Sequence, residues 1–212
     1  GVWRAAFKPF VDRIADNDIR LQWFCCDRST GVDAEDKDGK PIRVTLLRDT
    51  ETPASVEYQA VKFIGTGREN IQAGTFSGWE LGDYIYMRSE EAYLIKIEAL
   101  AHKNSPDAVT ELENFMKTRQ PDYDYTFTNK ADLIEEIIYQ KRVEFWGEGL
   151  EYIDNRRLNI PVDRTDETWG AENNNHFSAA KFRYNQEERP FLYQLPISEI
   201  ENNSQISPSD QN

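Results

Sequence analysis

The sequence predicts a mainly α-helical protein of tetratricopeptide-like helical hairpins, with long irregular loops and a few short strands. Three central segments carry apolar residues at helical spacing, and capping residues precede them. The linker between the first two segments is very short, so the two helices should pack antiparallel as a hairpin. Residues 56–79 are punctuated by glycines, which is typical of irregular structure.

The front of the chain shows shorter patterns. Residues 2–14 have apolar side chains at helical spacing, which predicts a helix, although no capping residue precedes them. Residues 18–24 are expected to form a short strand. Asp38 and Gly39 are a favourable turn pair and would lead into a second strand at 42–47.

The central and later helices follow from caps and apolar spacing. They are expected at residues 83–103, 105–118 and 130–146, with a shorter one at 150–158. The first of them has apolar residues on most sides, which is typical of a buried helix. Ser105 and Asn129 are natural N-cap residues for the second and third helices. Most of the remaining chain to residue 212 is expected to be irregular.

Composition restricts the class of function. The 212 residues are 39 % hydrophobic and 12 % aromatic, which indicates a globular chain with a core. The net charge of −13 repels phosphate backbones, so no nucleic-acid partner is expected. Cys25 and Cys26 are adjacent, and the sequence holds no CxxC pair or Cys/His cluster. Neither a structural metal nor a cofactor is therefore expected.

Charged residues are dense around the end of the third predicted helix. Glu144 and Glu148 are four residues apart, so on a helix they share a face. A glycosidase instead needs two carboxylates that oppose each other across a cleft. Together with Arg142, Asp154 and Arg157, these residues are typical of a structural ion network. The pattern favours a scaffold role over a catalytic one.

Two tryptophans are candidate ligand contacts. Trp79 follows Gly78, and Trp169 precedes Gly170 in a polar, asparagine-rich segment. Sugar rings stack their apolar faces on aromatic planes, and asparagine and aspartate side chains bind their hydroxyls. The alternative role for each ring is to anchor a loop onto the core.

Four segments, in the same order along the chain, resemble motifs of the SusD/RagB family. Residues 18–21 resemble the family's DPRL segment, and residues 87–99 resemble its MRYAEVYLIAAEA helix. Residues 142–157 are similar to part of ERRIELAFEGHRFWDLRRW, and residues 195–212 resemble the closing LPIPQSEI…N…QN. The ordered set identifies the chain as similar to the C-terminal portion of this family.

This resemblance implies a fold, a function and a location. Residues 1–212 would be the C-terminal part of a single SusD-like domain whose N-terminal part is absent from this chain. The protein would be an outer-membrane, cell-surface lipoprotein of Bacteroidetes, with its lipid anchor outside this chain. It would bind glycans, or in some members peptides, without cutting them, and deliver them to a SusC-like TonB-dependent transporter. The matched motif residues, including Arg88 and Glu91, would belong to the scaffold.

Two other classes of function stay open from the residues. A helical-repeat adaptor would bind a peptide or protein in the groove of its hairpins and would not bind sugars. An acidic glycoside hydrolase would release reducing ends from a polysaccharide.

Overall fold

A computed structural model describes residues 6–25, 32–35, 41–44, 59–60, 62, 86–188 and 195–210. The chain divides into two compact units, residues 1–144 and 145–212. Trp79, the turn pair Asp38 and Gly39, and the start of the first predicted central helix lie outside the described residues. The assignment of residues 1–212 to one domain stays a prediction.

The first unit opens with short helical segments. Helix α1 spans Lys8–Asp12 and is shorter than the helix predicted at residues 2–14. It begins only at Lys8 because Phe7 before it has an extended backbone. A 3₁₀ helix then covers Ile19–Trp23, so the predicted strand at 18–24 is wrong over most of its length. The physical reason is local, since the Asp18 carboxylate accepts the Arg20 backbone N–H at 2.8 Å and closes a turn.

Short antiparallel strand pairs follow. Strand β1 (Phe24–Cys25) pairs with β4 (Gln59–Ala60), and β2 (Val32–Glu35) pairs with β3 (Pro41–Val44). In the second pair Val32 lies opposite Val44. The strand predicted at 42–47 is therefore confirmed over residues 42–44.

The three central helices are confirmed with shorter bounds. They are α2 (Ser89–His102), α3 (Asp107–Lys117) and α4 (Lys130–Glu144). The ring of Tyr93 stacks on that of Phe115, with centroids 5.9 Å apart. Further along α2, Lys96 Nζ lies 2.7 Å from Glu111 Oε1, nearer the start of α3. Helices α2 and α3 are therefore antiparallel, as the short linker predicts.

Helix α4 also runs antiparallel to α2. Arg88, just before α2, contacts Glu144 at the end of α4. At the other end, Lys130 Nζ donates to the His102 carbonyl at 2.7 Å. The three helices enclose a core of buried apolar side chains: Leu94, Ile97, Ala101, Ala108, Leu112, Met116, Leu133, Ile137 and Val143.

One side of α2 departs from the sequence expectation. Ala92, Ile95 and Ala99 are exposed, with Ile95 50 % accessible, so the prediction of a helix buried on most sides is wrong here. Helices α3 and α4 cover the side of α2 that carries Leu94 and Ile97. The apolar residues on the other side lie away from that core.

The second unit has short elements. They are α5 (Leu150–Arg157), β5 (Val162–Asp163), α6 (Asp166–Trp169), β6 (Arg183–Tyr184) and α7 (Ile197–Asn202). Gly149, with a φ of +87°, precedes α5 in a left-handed conformation that glycine adopts without steric cost. The short helix predicted at 150–158 is confirmed.

We expect Asn129→Ala to lower the free energy of unfolding by about 1 kcal/mol. Asn129 Oδ1 accepts the Asp132 backbone N–H at 3.0 Å and so caps α4. Asn129→Ser is the matched control and should stay close to wild type, because serine supplies an equivalent cap oxygen. Urea unfolding measures both values. Equal losses in the two variants would contradict the capping role.

Candidate functional site

A buried carboxylate at the end of α4 gathers three arginines. The side chain of Glu144 is 3 % exposed, and Arg88 Nη1 lies 2.9 Å from its Oε1. Arg119 Nε approaches Oε2 at 3.3 Å, and Arg20 Nη1 reaches the same oxygen at 3.5 Å. Three guanidinium groups from distant parts of the sequence therefore surround one carboxylate.

Arg20 links this carboxylate to further polar groups. Its side chain is 1 % exposed and contacts both oxygens of Asp18, at 3.0 Å from Nε and 2.6 Å from Nη2. The same Nη2 donates to Gln140 Oε1 at 2.6 Å. Gln140 Nε2 in turn donates to Glu136 Oε1 at 2.6 Å, one turn earlier on α4. The buried guanidinium is thus satisfied by several partners, as burial of a charge requires.

Glu136 connects the network to the front of the chain. Arg13 Nη2 lies 2.7 Å from its Oε2, and the Tyr123 hydroxyl donates to its Oε1 at 3.2 Å. Burial raises the pKa of Tyr123, and the neighbouring Glu136 charge raises it further, so this hydroxyl stays a donor. The Glu144 cluster is defined by seven residues: Asp18, Arg20, Arg88, Arg119, Glu136, Gln140 and Glu144.

The cluster keeps Glu144 ionised. Burial by itself would raise the pKa of this carboxyl, because a buried carboxylate loses its solvation. Hydrogen bonds from Arg119 and Arg88, with the positive charges of Arg119 and Arg20, outweigh burial and hold the pKa below its ordinary value. A general acid needs a raised pKa, so Glu144 is unsuited to donate a proton.

The cluster joins separate elements of the first unit. Arg20 lies on the 3₁₀ helix, Arg88 precedes α2, Arg119 follows α3, and Glu144 ends α4. Backbone groups add to this contact, because Arg88 Nη2 donates to the Glu144 carbonyl at 2.7 Å and Ile19 N–H donates to the Arg119 carbonyl at 2.9 Å. The arrangement fixes where these segments meet.

Of the scaffold residues named from sequence in the first unit, the structure brings Arg88 and Glu144 into contact. Glu91 lies in the first turn of α2, and Arg142 lies in the last turn of α4. Sequence reasoning did not assign Arg119 to this network. The signal for Arg20 was its place in the segment that resembles DPRL, although no role was predicted for it.

In the second unit, the predicted charged residues form a local pair. Asp154 is buried, and its Oδ1 accepts from Arg157 Nε at 2.8 Å and from Nη2 at 2.6 Å. Glu148 lies in the turn before α5, where its backbone N–H donates to the Phe145 carbonyl. The assignment of all these residues to the scaffold rather than to a binding site stays a prediction.

Trp169 closes the short helix α6. Its side chain is 38 % exposed, and its indole Nε1 donates to the Asp163 carbonyl at 3.0 Å. One edge of the ring is thus held by the backbone while part of the ring faces solvent. The described residues contain no group of three or more His, Cys, Asp and Glu side chains placed to hold a metal ion. Among the described helices, none has the length and apolar character needed to cross a bilayer.

Fold and cluster together define a helical-hairpin scaffold whose segments meet at a buried ionic centre. The chain matches the SusD family over residues 7–212 and belongs to that family. This confirms the resemblance seen in the four sequence motifs.

A solved structure supports the fold assignment. A SusD-like carbohydrate binding protein from Bacteroides vulgatus ATCC 8482 matches with a TM-score of 0.59 and 24 % sequence identity. The match covers 93 % of this chain and 40 % of that protein, so the chain spans well under half of its length. No curated protein matches this chain.

We expect Glu144→Ala to lower the free energy of unfolding by about 3–5 kcal/mol, because it leaves buried arginine charge without its carboxylate. Glu135→Ala is the matched control on the same helix. Its side chain is 75 % exposed and lies 3.7 Å from Arg13, so its loss should cost at most about 1 kcal/mol. Urea unfolding at neutral pH compares the two. Similar losses would show that the buried cluster contributes no more than a surface pair.

The lowered pKa of Glu144 predicts an acid-dependent stability. Its contribution is fully present above the ordinary carboxyl pKa of about 4.3 and is lost as pH falls through the lower folded-state pKa. Glu144→Gln cannot titrate, so wild type should lose more stability than this variant on acidification. Urea unfolding from pH 7 to pH 2 measures the difference. A difference that stays constant below pH 4 would contradict the assignment.

Proposed function

We propose that this chain is the C-terminal part of a protein that binds oligosaccharides without hydrolysing them. The observation that carries the proposal is the match to the SusD family over residues 7–212. The solved structure with a similar fold is described as a SusD-like carbohydrate binding protein. Loops on a rigid helical scaffold are a common place for such binding residues.

In this proposal, the protein works at the cell surface. It is a lipid-anchored lipoprotein of the outer membrane in Bacteroidetes. It passes captured glycans to a SusC-like TonB-dependent transporter. A charge of −13 gives the chain no electrostatic attraction to nucleic acid or to an anionic lipid surface, so in this proposal the lipid anchor alone holds the protein at the membrane.

The chemistry of the buried carboxylates supports binding without hydrolysis. Glu144 is held ionised by three arginines, and Glu136 is engaged by Arg13 and Tyr123. A glycoside hydrolase needs one carboxyl group that stays protonated beside its substrate. Glu144, whose pKa is lowered by its arginine partners, does not meet that need.

The full chain, as the cell makes it, should migrate more slowly in a native gel that contains a soluble polysaccharide it recognises. Affinity in the micromolar to millimolar range is expected, because sugar hydroxyls exchange water hydrogen bonds for protein ones at little net gain. An unrelated protein of similar size serves as the migration control. A reducing-end assay on the same mixture should detect no product.

Other outcomes would replace the proposal. Release of reducing ends by the purified protein would favour the glycoside hydrolase. Binding of peptides together with unchanged migration in every polysaccharide gel would favour the helical-repeat adaptor.

A further inference from the structure

A segment of the second unit forms a closed loop with its own bracing. Strands β5 and β6 pair antiparallel, with Asp163 opposite Arg183. The next backbone hydrogen bond joins Arg164 N–H to the Phe182 carbonyl at 2.8 Å. The closed loop is defined as residues 163–183, whose two ends are held together by this pairing.

Asp163 organises the first part of the closed loop. Its Oδ1 accepts the backbone N–H of Thr165 at 3.0 Å and the Thr165 hydroxyl at 2.7 Å. Its Oδ2 accepts from the Thr168 hydroxyl at 2.7 Å and from Arg183 Nη1 at 2.9 Å. Its carbonyl accepts the Trp169 indole N–H. One residue therefore fixes α6, the strand pair and the tryptophan ring together.

Asp166 braces the second part. Lys181 Nζ lies 2.7 and 2.8 Å from its two carboxylate oxygens, and Asn174 Nδ2 donates to Oδ1 at 2.8 Å. The same Nδ2 lies 3.0 Å from the Arg164 carbonyl, and Asn174 Oδ1 accepts the His176 backbone N–H at 3.2 Å. Asn174 is buried, and its hydrogen bonds connect the middle of the closed loop to Arg164 and Asp166 near the start of the loop.

Two aromatic side chains are exposed on this braced segment. Trp169 is 38 % exposed and Phe177 is 74 % exposed. Exposure of large apolar side chains to water is unfavourable, so the two exposed rings on one hydrogen-bonded loop are candidate contact residues. A ring whose edge is already held by a hydrogen bond loses little freedom when a ligand stacks on it, which favours binding.

We propose that the closed loop binds uncharged glycans, with Trp169 and Phe177 each offering a ring on which the apolar face of a pyranose can stack. This inference rests on the proposed glycan binding and assigns to it a site in the second unit. Residues 172–175 between the two rings are Glu-Asn-Asn-Asn, and the exposed residues Asn173 and Asn175 carry amide groups of the kind that bind sugar hydroxyls. A loop that carries both aromatic rings and amide groups offers partners for the apolar faces and the hydroxyl edges of a sugar.

The charge of the closed loop selects an uncharged ligand. Two of its carboxylates face its own cations, and the Arg164 guanidinium lies over the Phe182 ring at 5.0 Å. Glu167 and Glu172, on either side of Trp169 in the sequence, are exposed and negative. Uronate and sulfate groups would be repelled by these carboxylates and by the net charge of −13.

The test compares variants of the full chain in native affinity gels. The neutral probes are soluble starch, galactomannan and xyloglucan, and the acidic probes are polygalacturonate and chondroitin sulfate. Trp169→Ala and Phe177→Ala should each weaken retardation by a neutral probe about fivefold or more, on the scale of one aromatic contact. Trp169→Phe keeps a ring but removes the bond to the Asp163 carbonyl, so it should fall between Trp169→Ala and wild type.

Ile197→Ala is the matched control. Ile197 is 72 % exposed, lies in the same unit outside the closed loop, and should bind as wild type does. Far-ultraviolet circular dichroism verifies that each variant is folded. Should Trp169→Ala unfold the closed loop, Phe177→Ala still tests the surface, because Phe177 is the more exposed ring.

The possible outcomes test the closed-loop site and glycan binding separately. Wild-type retardation by neutral probes that neither ring variant weakens would overturn the closed-loop site and leave glycan binding standing. Retardation by acidic probes alone would overturn the uncharged ligand. Migration unchanged by every probe would remove glycan binding itself, and the site with it.

Discussion

Three arginines surround the buried carboxylate of Glu144, and each comes from a different segment of the first unit. A buried ion cluster is not a general source of stability, because removing charges from water costs several kcal/mol per ion. Its effect here is on the relative positions of the segments that it joins. The guanidinium of Arg20 reaches its partners only when the 3₁₀ helix and α4 take one relative placement, so the cluster specifies how the helices and the front of the chain meet.

In the second unit, too, one carboxylate gathers hydrogen-bond donors from separate positions, but within a single loop. Asp163 gathers two threonines, an arginine and a tryptophan from one closed loop, and all of them lie within twenty residues. Its partners lower the pKa of Asp163 despite the opposing effect of partial burial, so it stays an acceptor.

The proposed ligand contacts, Trp169 and Phe177, lie outside the motifs that identified the family. The segments that resemble SusD motifs include Arg20, Arg88 and Glu144, which meet in the cluster. Trp169 was a candidate from its polar, glycine-containing surroundings. Phe177 carried no comparable signal, because exposure of a lone phenylalanine in an irregular segment depends on how that segment folds back.

Local patterns in the sequence determined the three central helices, the Asn129 cap and the antiparallel hairpin, because capping and apolar spacing act over a few residues. The same reasoning failed at residues 18–24, where a side chain bonded to the backbone outweighed strand-like composition. Only the tertiary structure decided that Arg20 meets Glu144, 124 residues away. Such a contact depends on packing of whole helices, and neither residue's neighbours in sequence specify it.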